Sequence, residues 1–217
     1  MIKINRNIEL KASLEWIKLS FIIFREKPLQ FILLGLVNFL MGLLPLFGAF
    51  MSPLFIARFA QLTEKVQHNE DIKVSSIFKN LFINRTIVNL AFINFFLYAI
   101  ILIMQTLLEN MLDSYGVSNK ITRFEIMSLF FIPVLILQMA MWLSPIICLY
   151  NEVKPSTAMW LSIKAGLYNI QTLLMYAILI LGFTALAILP IGLGLIIWLP
   201  ILNITNYFVY QYMYKIE

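Results

Sequence analysis

Apolar residues along this chain gather into six long runs that are separated by short polar segments. The runs cover approximately residues 28–44, 46–63, 86–108, 126–150, 171–189 and 191–213. A bilayer core of about 30 Å is crossed by roughly 17 to 25 helical residues, so runs of this length predict membrane-spanning helices. The pattern as a whole predicts an all-α integral membrane protein with six transmembrane helices.

Proline and glycine divide the first and the last apolar stretch, each of which would otherwise be too long for one comfortable span. The dividing sequences are Leu44-Pro45-Leu46-Phe47-Gly48 and Leu189-Pro190-Ile191-Gly192. Proline fixes its own φ and glycine can adopt a positive φ, so both sequences predict a tight reversal. Each stretch then forms a helical hairpin, and a single long, kinked helix is the alternative.

A second set of prolines lies inside the returning helix of each hairpin. They occur in Met51-Ser52-Pro53-Leu54, Leu143-Ser144-Pro145-Ile146 and Trp198-Leu199-Pro200-Ile201. An interior proline removes one backbone hydrogen bond, a defect that membrane helices tolerate because neighbouring groups satisfy the freed carbonyl. We expect the hydroxyls of Ser52 and Ser144 to bond to a carbonyl one turn back. The three prolines are therefore interpreted as structural.

Amphipathic segments precede the first, third and fifth spans. The first carries Leu10, Leu14, Ile17, Phe21 and Phe24 on one face with Trp16 at its flank; the second carries Val74, Ile77, Phe78 and Leu81, and the third Met159, Trp160, Ile163 and Leu167. This spacing predicts helices that lie in the headgroup plane. Surface helix, span, turn and returning span with proline thus occur three times within one membrane domain, 1–217. The repeat units cover about 9–66, 70–150 and 155–214.

Composition and charge placement agree with a membrane location. The chain is 61% hydrophobic and 12% charged, with a mean hydropathy of +0.88, whereas about 25% of residues are charged in a soluble domain. Fourteen of the 16 lysines and arginines fall on one side of the six predicted spans, in 1–27, 58–85, 150–170 and 213–217. The positive-inside rule makes that side, and both termini, cytoplasmic. The net charge of +5 thus reflects topology, and no nucleic-acid partner is predicted.

Several short sequences carry a family resemblance. They are the opening stretch Trp16…Phe24-Arg25-Glu26-Lys27-Pro28, the blocks Ala140-Met141-Trp142-Leu143-Ser144-Pro145 and Ser162-Ile163-Lys164-Ala165-Gly166-Leu167-Tyr168-Asn169, and the aromatic tail from Tyr207 to Tyr214. In these the chain resembles uncharacterised six-span inner-membrane families of proteobacteria. It is also distantly similar to the membrane-anchor region of some glycerophosphodiester phosphodiesterases. The resemblance implies a six-span, multi-pass fold in a bacterial inner membrane, and it supplies no catalytic residue.

Candidate chemistry is sparse along the chain. His68 is the only histidine and Cys148 the only cysteine, so no cluster of metal ligands is predicted. No aspartate or glutamate lies inside a predicted span, which argues against proteolysis by paired aspartates. An enzyme would need a cluster of Glu109, Asp113 and Glu125 from the loop before the fourth span, and nothing in the sequence orients them. We therefore predict no enzymatic activity, no cofactor and no metal.

Arg58 interrupts an otherwise apolar stretch that ends at Glu64-Lys65. At about 1.5 Å per residue it lies about 9 Å from that edge, a depth from which an arginine can extend to the headgroups. The alternative role is an anchor for a lipid phosphate or for a carboxylate on another helix, such as Glu152. We therefore predict Arg58 and Glu152 as a candidate lipid or ion-pair site.

Uncharged polar residues are the other candidates at membrane depth. The main ones are Asn38, Asn94, Gln138 and Asn203. Amides commonly hold helices together through hydrogen bonds worth about 0.6–2 kcal/mol, and they can instead line a pathway. Ala158, Ser162 and Gly166 form a stripe of small residues, for which internal packing and an oligomer seam are both open.

Two functions follow as expectations. The first is a non-enzymatic inner-membrane protein whose basic surface helices organise anionic lipids or dock a partner membrane complex, as an accessory or scaffold protein. The alternative is a passive permease or lipid-handling transporter with a pathway between the repeats, lined by the amides and Arg58. The spans lack the acidic residue that ion-coupled transport usually uses, which weakens active transport.

Overall fold

Eight α-helices and one short strand pair make up the described part of the chain. The computed structural model describes residues 2–6, 8–79, 81–82, 84–116, 119, 124, 126, 128 and 131–215. The helices are α1 Ala12–Glu26, α2 Pro28–Gly42, α3 Pro45–Gln67, α4 Arg85–Ser114, α5 Phe131–Asn151, α6 Pro155–Tyr168, α7 Ile170–Ile188 and α8 Leu195–Met213. The strands are β1 Lys3–Ile4 and β2 Tyr214–Lys215, and a 3-10 helix covers Val74–Ser76.

Four of the helices are long and apolar enough to cross a membrane, judged by length and composition. They are α3, α4, α7 and the Ile132–Asn151 part of α5. The predicted all-α membrane architecture is therefore confirmed at this level. The other two predicted spans correspond to α2, which is apolar but has only 15 residues, and to α8.

Apolar side chains cover the outer surfaces of α4 and α7. Ile103 on α4 is 58% exposed and Leu181 on α7 is 70% exposed, and α7 buries only Thr172 and Tyr176. A protein surrounded by water rarely exposes so large an apolar surface. These faces are suited to contact with lipid chains.

The paired strands mark one end of the helix bundle, which we call the termini end. β1 and β2 are antiparallel, with Ile4 opposite Tyr214. The last turns of α3, α5 and α8 lie together near them, because Asn151 Nδ2 donates to the Tyr210 hydroxyl (2.7 Å) and Gln211 Nε2 donates to Gln67 Oε1 (3.3 Å). The start of α2 belongs to the same end, since Lys27 lies 2.6 Å from Asp71, just beyond α3.

The two predicted reversals lie at the opposite end of the bundle. Between α7 and α8, Ile191 and Gly192 have positive φ values of 55° and 78°, as a tight turn requires. Between α2 and α3 the turn is made by Leu43 and Leu44, and Pro45 begins α3. Gly48 is therefore inside a helix, where its missing Cβ permits close approach: an added Cβ would lie 2.9 Å from the Gly42 Cα.

The predicted surface helices are formed in two of three cases. The segment with Val74 and Ile77 forms only the 3-10 helix Val74–Ser76 and following turns, so the second prediction is wrong. The position of Trp16 also differs from the prediction, because its side chain is fully buried against the edges of the Tyr176 and Tyr212 rings. The first helix therefore packs into the protein more deeply than a flanking tryptophan predicts.

Helix α6 turns its small residues inward and its large apolar residues outward. Ala158, Ser162 and Gly166 are buried, whereas Trp160 and Leu167 are each 57% exposed. Small residues allow close approach of two helices, so this stripe packs internally. The Ser162 hydroxyl even enters the backbone ladder of α5, where it accepts from Leu143 N (3.2 Å) and donates to the Met139 carbonyl (2.6 Å).

Pro53, Pro145 and Pro200 all lie inside helices, as predicted. Ser144 Oγ donates over a long 3.4 Å to the Met141 carbonyl, one turn back. The same prediction is wrong for Ser52, which makes no hydrogen bond with the described residues and instead lines a cavity. Its proline is accommodated differently, through a neighbouring helix.

Candidate functional site

Arg58 lies on α3 with its side chain turned toward the 3-10 helix, and it is only 6% exposed. Its Nε donates to the Ile77 carbonyl (2.7 Å), Nη2 to the Ser76 carbonyl (2.5 Å) and Nη1 to Gln61 Oε1 (2.9 Å). The Ile77 carbonyl has no backbone partner among the described residues, and the Ser76 carbonyl accepts from Lys79 N (3.1 Å). A carbonyl oxygen has two lone pairs, so both carbonyls can accept from an outside donor. Arg58 thus joins the middle of α3 to the connection before α4.

The predicted ion pair between Arg58 and Glu152 does not form. Glu152 follows the end of α5, is exposed, and has a positive φ of 51°. The hydrogen-bond partners of the Arg58 guanidinium are two backbone carbonyls and an amide, and none of the described carboxylates pairs with it. Arg58 is therefore a buried cation without a matching anion in the described structure.

A cavity of about 320 Å³ adjoins Arg58 at the termini end, and we call it the charged cavity. Its polar and charged lining consists of Arg58, Gln61, Glu64, Lys65, Asp71, Ser76 and Lys79. A second cavity of about 260 Å³ lies on the other side of the arginine and reaches Asn84 and Leu149. Arg58 and Gln61 line both, so they form the wall between them.

Of the five charged residues that line the charged cavity, Lys65 and Asp71 have an oppositely charged partner, and Glu64 has a neutral hydrogen-bond donor. Lys65 pairs with Glu70 at 3.4 Å, and Glu64 Oε2 accepts a hydrogen bond from the Tyr150 hydroxyl (2.9 Å). Asp71 pairs with Lys27, whose hydrogen bond and charge lower the pKa of the Asp71 carboxyl.

Two lining cations have no carboxylate partner among the described residues. These are Arg58 and the exposed Lys79. A guanidinium carries more N–H donors than the three bonds of Arg58 use, so donors remain for an anion in the cavity. The cavity is therefore suited to a phosphate-sized anionic group.

A larger cleft of about 570 Å³ lies farther along α3, toward the opposite end, and we call it the neutral cleft. It is bounded by the turn after α2, the first half of α3, and parts of α4 and α5, through Gly42, Pro45, Gly48, Ala49, Ser52, Ile56, Asn94, Tyr98, Leu135, Gln138, Met139, Met141 and Trp142. None of these residues carries a formal charge. The neutral cleft and the charged cavity share no lining residue.

The structure brings together two of the four amides predicted as helix glue or pathway residues. Asn94 and Gln138 both line the neutral cleft, and Asn38 and Asn203 do not. Asn203 Nδ2 donates to the Leu199 carbonyl of its own helix (2.9 Å). Asn38 is half-buried on α2 and has no hydrogen-bond partner among the described residues. The predicted set of four therefore does not form one lining.

Asn94 has a structural role that explains how α3 accommodates Pro53. A proline at position 53 cannot donate to the carbonyl of Ala49, one turn earlier. Asn94 Nδ2, from α4, donates to that carbonyl at 2.6 Å. The amide thus replaces the missing backbone donor and joins α3 to α4.

One part of the site was missed by sequence reasoning. The carbonyls of Ser76 and Ile77 are backbone groups, so no residue type identifies them as partners of Arg58. Glu109 and Asp113, which were predicted in a loop, lie instead in the last turns of α4, and Glu125 lies outside the described residues. In the part of the chain that is described, no group of three or more histidine, cysteine, aspartate or glutamate side chains is arranged to hold a metal.

Comparisons with protein-family models, with curated proteins and with solved structures give no match to this chain. The function is therefore inferred from the geometry of the charged cavity and of the surfaces around it.

Proposed function

We propose that this protein is a non-enzymatic membrane protein that binds the phosphate of an anionic lipid in the charged cavity. The main support is Arg58, a buried guanidinium that adjoins a polar cavity and has no carboxylate partner among the described residues. Burying a charge without a counter-charge is costly, and an anionic ligand removes that cost. Lys79 adds a second cation to the same lining.

The proposal includes six crossings and a cytoplasmic termini end. The ends of α2, α3, α5 and α8 that meet there support counting α2 and α8 as crossings, in addition to the four longer apolar helices. Pairing of β1 with β2 requires an even number of crossings. With six crossings, 14 of the 16 lysines and arginines lie at the termini end, which the positive-inside rule makes cytoplasmic.

Exposed apolar and basic side chains at the termini end support contact with lipid headgroups. Phe78 is 41% exposed beside Lys79, and on α6 the Lys164 ammonium lies 5.7 Å from the ring centre of the exposed Trp160. Such pairs place an aromatic ring at the edge of the hydrocarbon and a charge among the headgroups. The charged cavity lies at this same level.

Native mass spectrometry of the full chain tests the proposal. The protein is incubated with phosphatidylglycerol or phosphatidylcholine and compared with Arg58→Gln and with Arg85→Gln, a matched control at the exposed start of α4. We expect Arg58→Gln to lower phosphatidylglycerol retention about tenfold or more, as for loss of hydrogen bonds to a charged group. Equal retention by Arg58→Gln and the wild type would reject the site.

A passive permease is the second candidate, and one observation favours it. The 260 Å³ cavity beside Arg58 and the neutral cleft lie at successive levels between α3, α4 and α5. On α4 the fully buried residues Leu90 and Ala91 lie between the two. For a permease this layer is a closed gate, so Leu90→Ala should raise solute flux into proteoliposomes above the wild-type level. Absence of flux in both proteins across a broad solute panel would exclude this candidate.

A further inference from the structure

We infer that the neutral cleft binds the uncharged head of a membrane lipid of the diacylglycerol class. This site is separate from the proposed anionic-lipid site and takes a ligand of different chemistry. Its volume of about 570 Å³ falls in the range of roughly 300–1,000 Å³ that is common for small-molecule sites.

Three polar side chains in the cleft have no hydrogen-bond partner among the described residues. They are the hydroxyls of the half-buried Ser52 and Tyr98 and the amide of the exposed Gln138, which come from α3, α4 and α5 in turn. Polar groups at membrane depth are normally paired, because the bilayer core offers no water to satisfy them. Three unpaired groups that line one cavity therefore indicate a polar ligand in it.

The three groups lie at the same level of the bundle. Counted along each helix from the termini end, each is roughly 20 Å deep at about 1.5 Å per residue. The starting points are Lys65 for Ser52, Arg85 for Tyr98 and Asn151 for Gln138. This depth lies within the hydrocarbon region, so the ligand must enter sideways from the bilayer and must carry an apolar tail.

The lining selects against a charged head. No lysine, arginine, aspartate or glutamate contributes to the neutral cleft, and transfer of a phosphate into such a site without a counter-charge is costly. Uncharged heads pay no such penalty.

The hydrogen-bonding groups favour a head with both a donor and acceptors. Hydroxyl and amide side chains can each donate and accept, which matches a glycerol hydroxyl with its neighbouring ester carbonyls. A quinone offers acceptors only. Ile56 and Met139 supply apolar lining, and Leu135, which is 64% exposed, forms a rim across which a lipid tail can leave toward the bilayer.

Tryptophan quenching in the full-length protein tests this site. The protein is placed in phosphatidylcholine nanodiscs, and brominated dioleoylglycerol is titrated in as a quencher of Trp142, which lines the cleft. We expect saturable quenching that is lost in Trp142→Phe. Removal of one hydrogen-bonding group, in Tyr98→Phe or Gln138→Leu, should weaken the apparent affinity about threefold to tenfold.

Asn38→Leu is the matched control, because it removes an unpartnered amide outside the cleft. It should leave the quenching curve unchanged. Equal affinity of the wild type, Tyr98→Phe and Gln138→Leu would overturn the inference. Stronger quenching by brominated phosphatidylglycerol than by brominated dioleoylglycerol would also overturn it. So would displacement of the brominated dioleoylglycerol by decylubiquinone at a lower concentration than unlabelled dioleoylglycerol needs. Should either variant fail to fold, Ser52→Ala gives the same test with the smallest change of volume.

Discussion

The charged cavity and the neutral cleft lie on the same helix, α3, but their polar side chains are used in different ways. Around the charged cavity, Arg58 and Asp71 are bonded to other parts of the protein. In the neutral cleft, Tyr98 and Gln138 have no partner among the described residues. The difference teaches that polarity alone does not identify a ligand site in a membrane protein. The hydrogen bonds show that Arg58 holds the fold as well as facing a cavity, whereas Tyr98 and Gln138 are free to meet a ligand.

Pro53 lies on α3 between Ser52, which lines the neutral cleft, and Arg58, which lines the charged cavity. The neutral cleft also includes Ile56, so on α3 the boundary lies between Ile56 and Arg58, just beyond the point at which the backbone ladder is interrupted. Substitutions on either side of it should have different consequences for stability and for binding.

The largest expected effect follows replacement of Arg58 by methionine. It leaves the Ile77 carbonyl without a donor and the Ser76 carbonyl with only Lys79 N, so we expect a loss of about 2–5 kcal/mol in the free energy of unfolding. Amide hydrogen exchange over residues 72–79 should accelerate in the same variant. Unfolding in detergent, with mass-spectrometric exchange, measures both. Arg85→Met is the control, and an equal loss there would show that Arg58 has no special structural role.

Asn94→Ala should have the next largest effect, about 1–3 kcal/mol, because the Ala49 carbonyl loses its donor. The sharper measurement is a double-mutant cycle with Pro53→Ala, which restores a backbone N–H one turn after Ala49. In that background the cost of Asn94→Ala should fall by at least half. A cost that is the same with proline or alanine at position 53 would contradict the coupling.

Asp71 should contribute a smaller, pH-dependent effect at the charged cavity. Lys27 lowers the pKa of this carboxyl below its ordinary value of 3.8, so the folded state binds its proton less readily than the unfolded state. The stabilisation is present above pH 3.8 and is lost as the pH falls through the lowered pKa. Melting temperatures at pH 7 and at decreasing acid pH should therefore converge between wild type and Asp71→Asn. A constant difference down to the lowest pH would argue against this pair.

Gln138→Leu should change stability least, within about 0.5 kcal/mol of the wild type. Its amide has no partner in the described structure, so its removal breaks no protein contact. Thermal unfolding with and without added diacylglycerol checks this. A large loss of stability without ligand would show that Gln138 holds the fold, and the contrast between the two sites would fail.

The long apolar helices were predictable from the sequence because a helix that crosses a membrane needs an apolar composition along most of its length. The run 171–189 became α7 with a shift of one residue at each end, and the run 86–108 became α4, which continues six residues farther, to Ser114. The interior positions of Pro53, Pro145 and Pro200 followed from the runs 46–63, 126–150 and 191–213. Features that depend on the composition of one helix can therefore be predicted from the sequence.

Contacts between distant parts of the chain could not be predicted in this way. Arg58 was recognised as unusual, but its partners are carbonyls, which every residue possesses. The segment around Ile77 has helical spacing and yet forms a 3-10 helix and turns, and two of its backbone oxygens accept hydrogen bonds from Arg58. Trp16 was placed at a surface because its burial depends on Tyr176 and Tyr212, which are far away in sequence.

The pairing of β1 with β2, together with the Asn5–Tyr212 hydrogen bond, forms late during biosynthesis. Asn5 Nδ2 donates to the Tyr212 carbonyl, across 207 positions of sequence. At about 5–20 residues per second a ribosome needs roughly 10 to 40 s to cover that interval. During this time β1 has no partner strand, and the helices between the two strands are synthesised one after another. β1 can pair with β2 only after α8 has been synthesised. In a chain stalled before α8, the β1 segment would therefore remain unpaired and open to proteases.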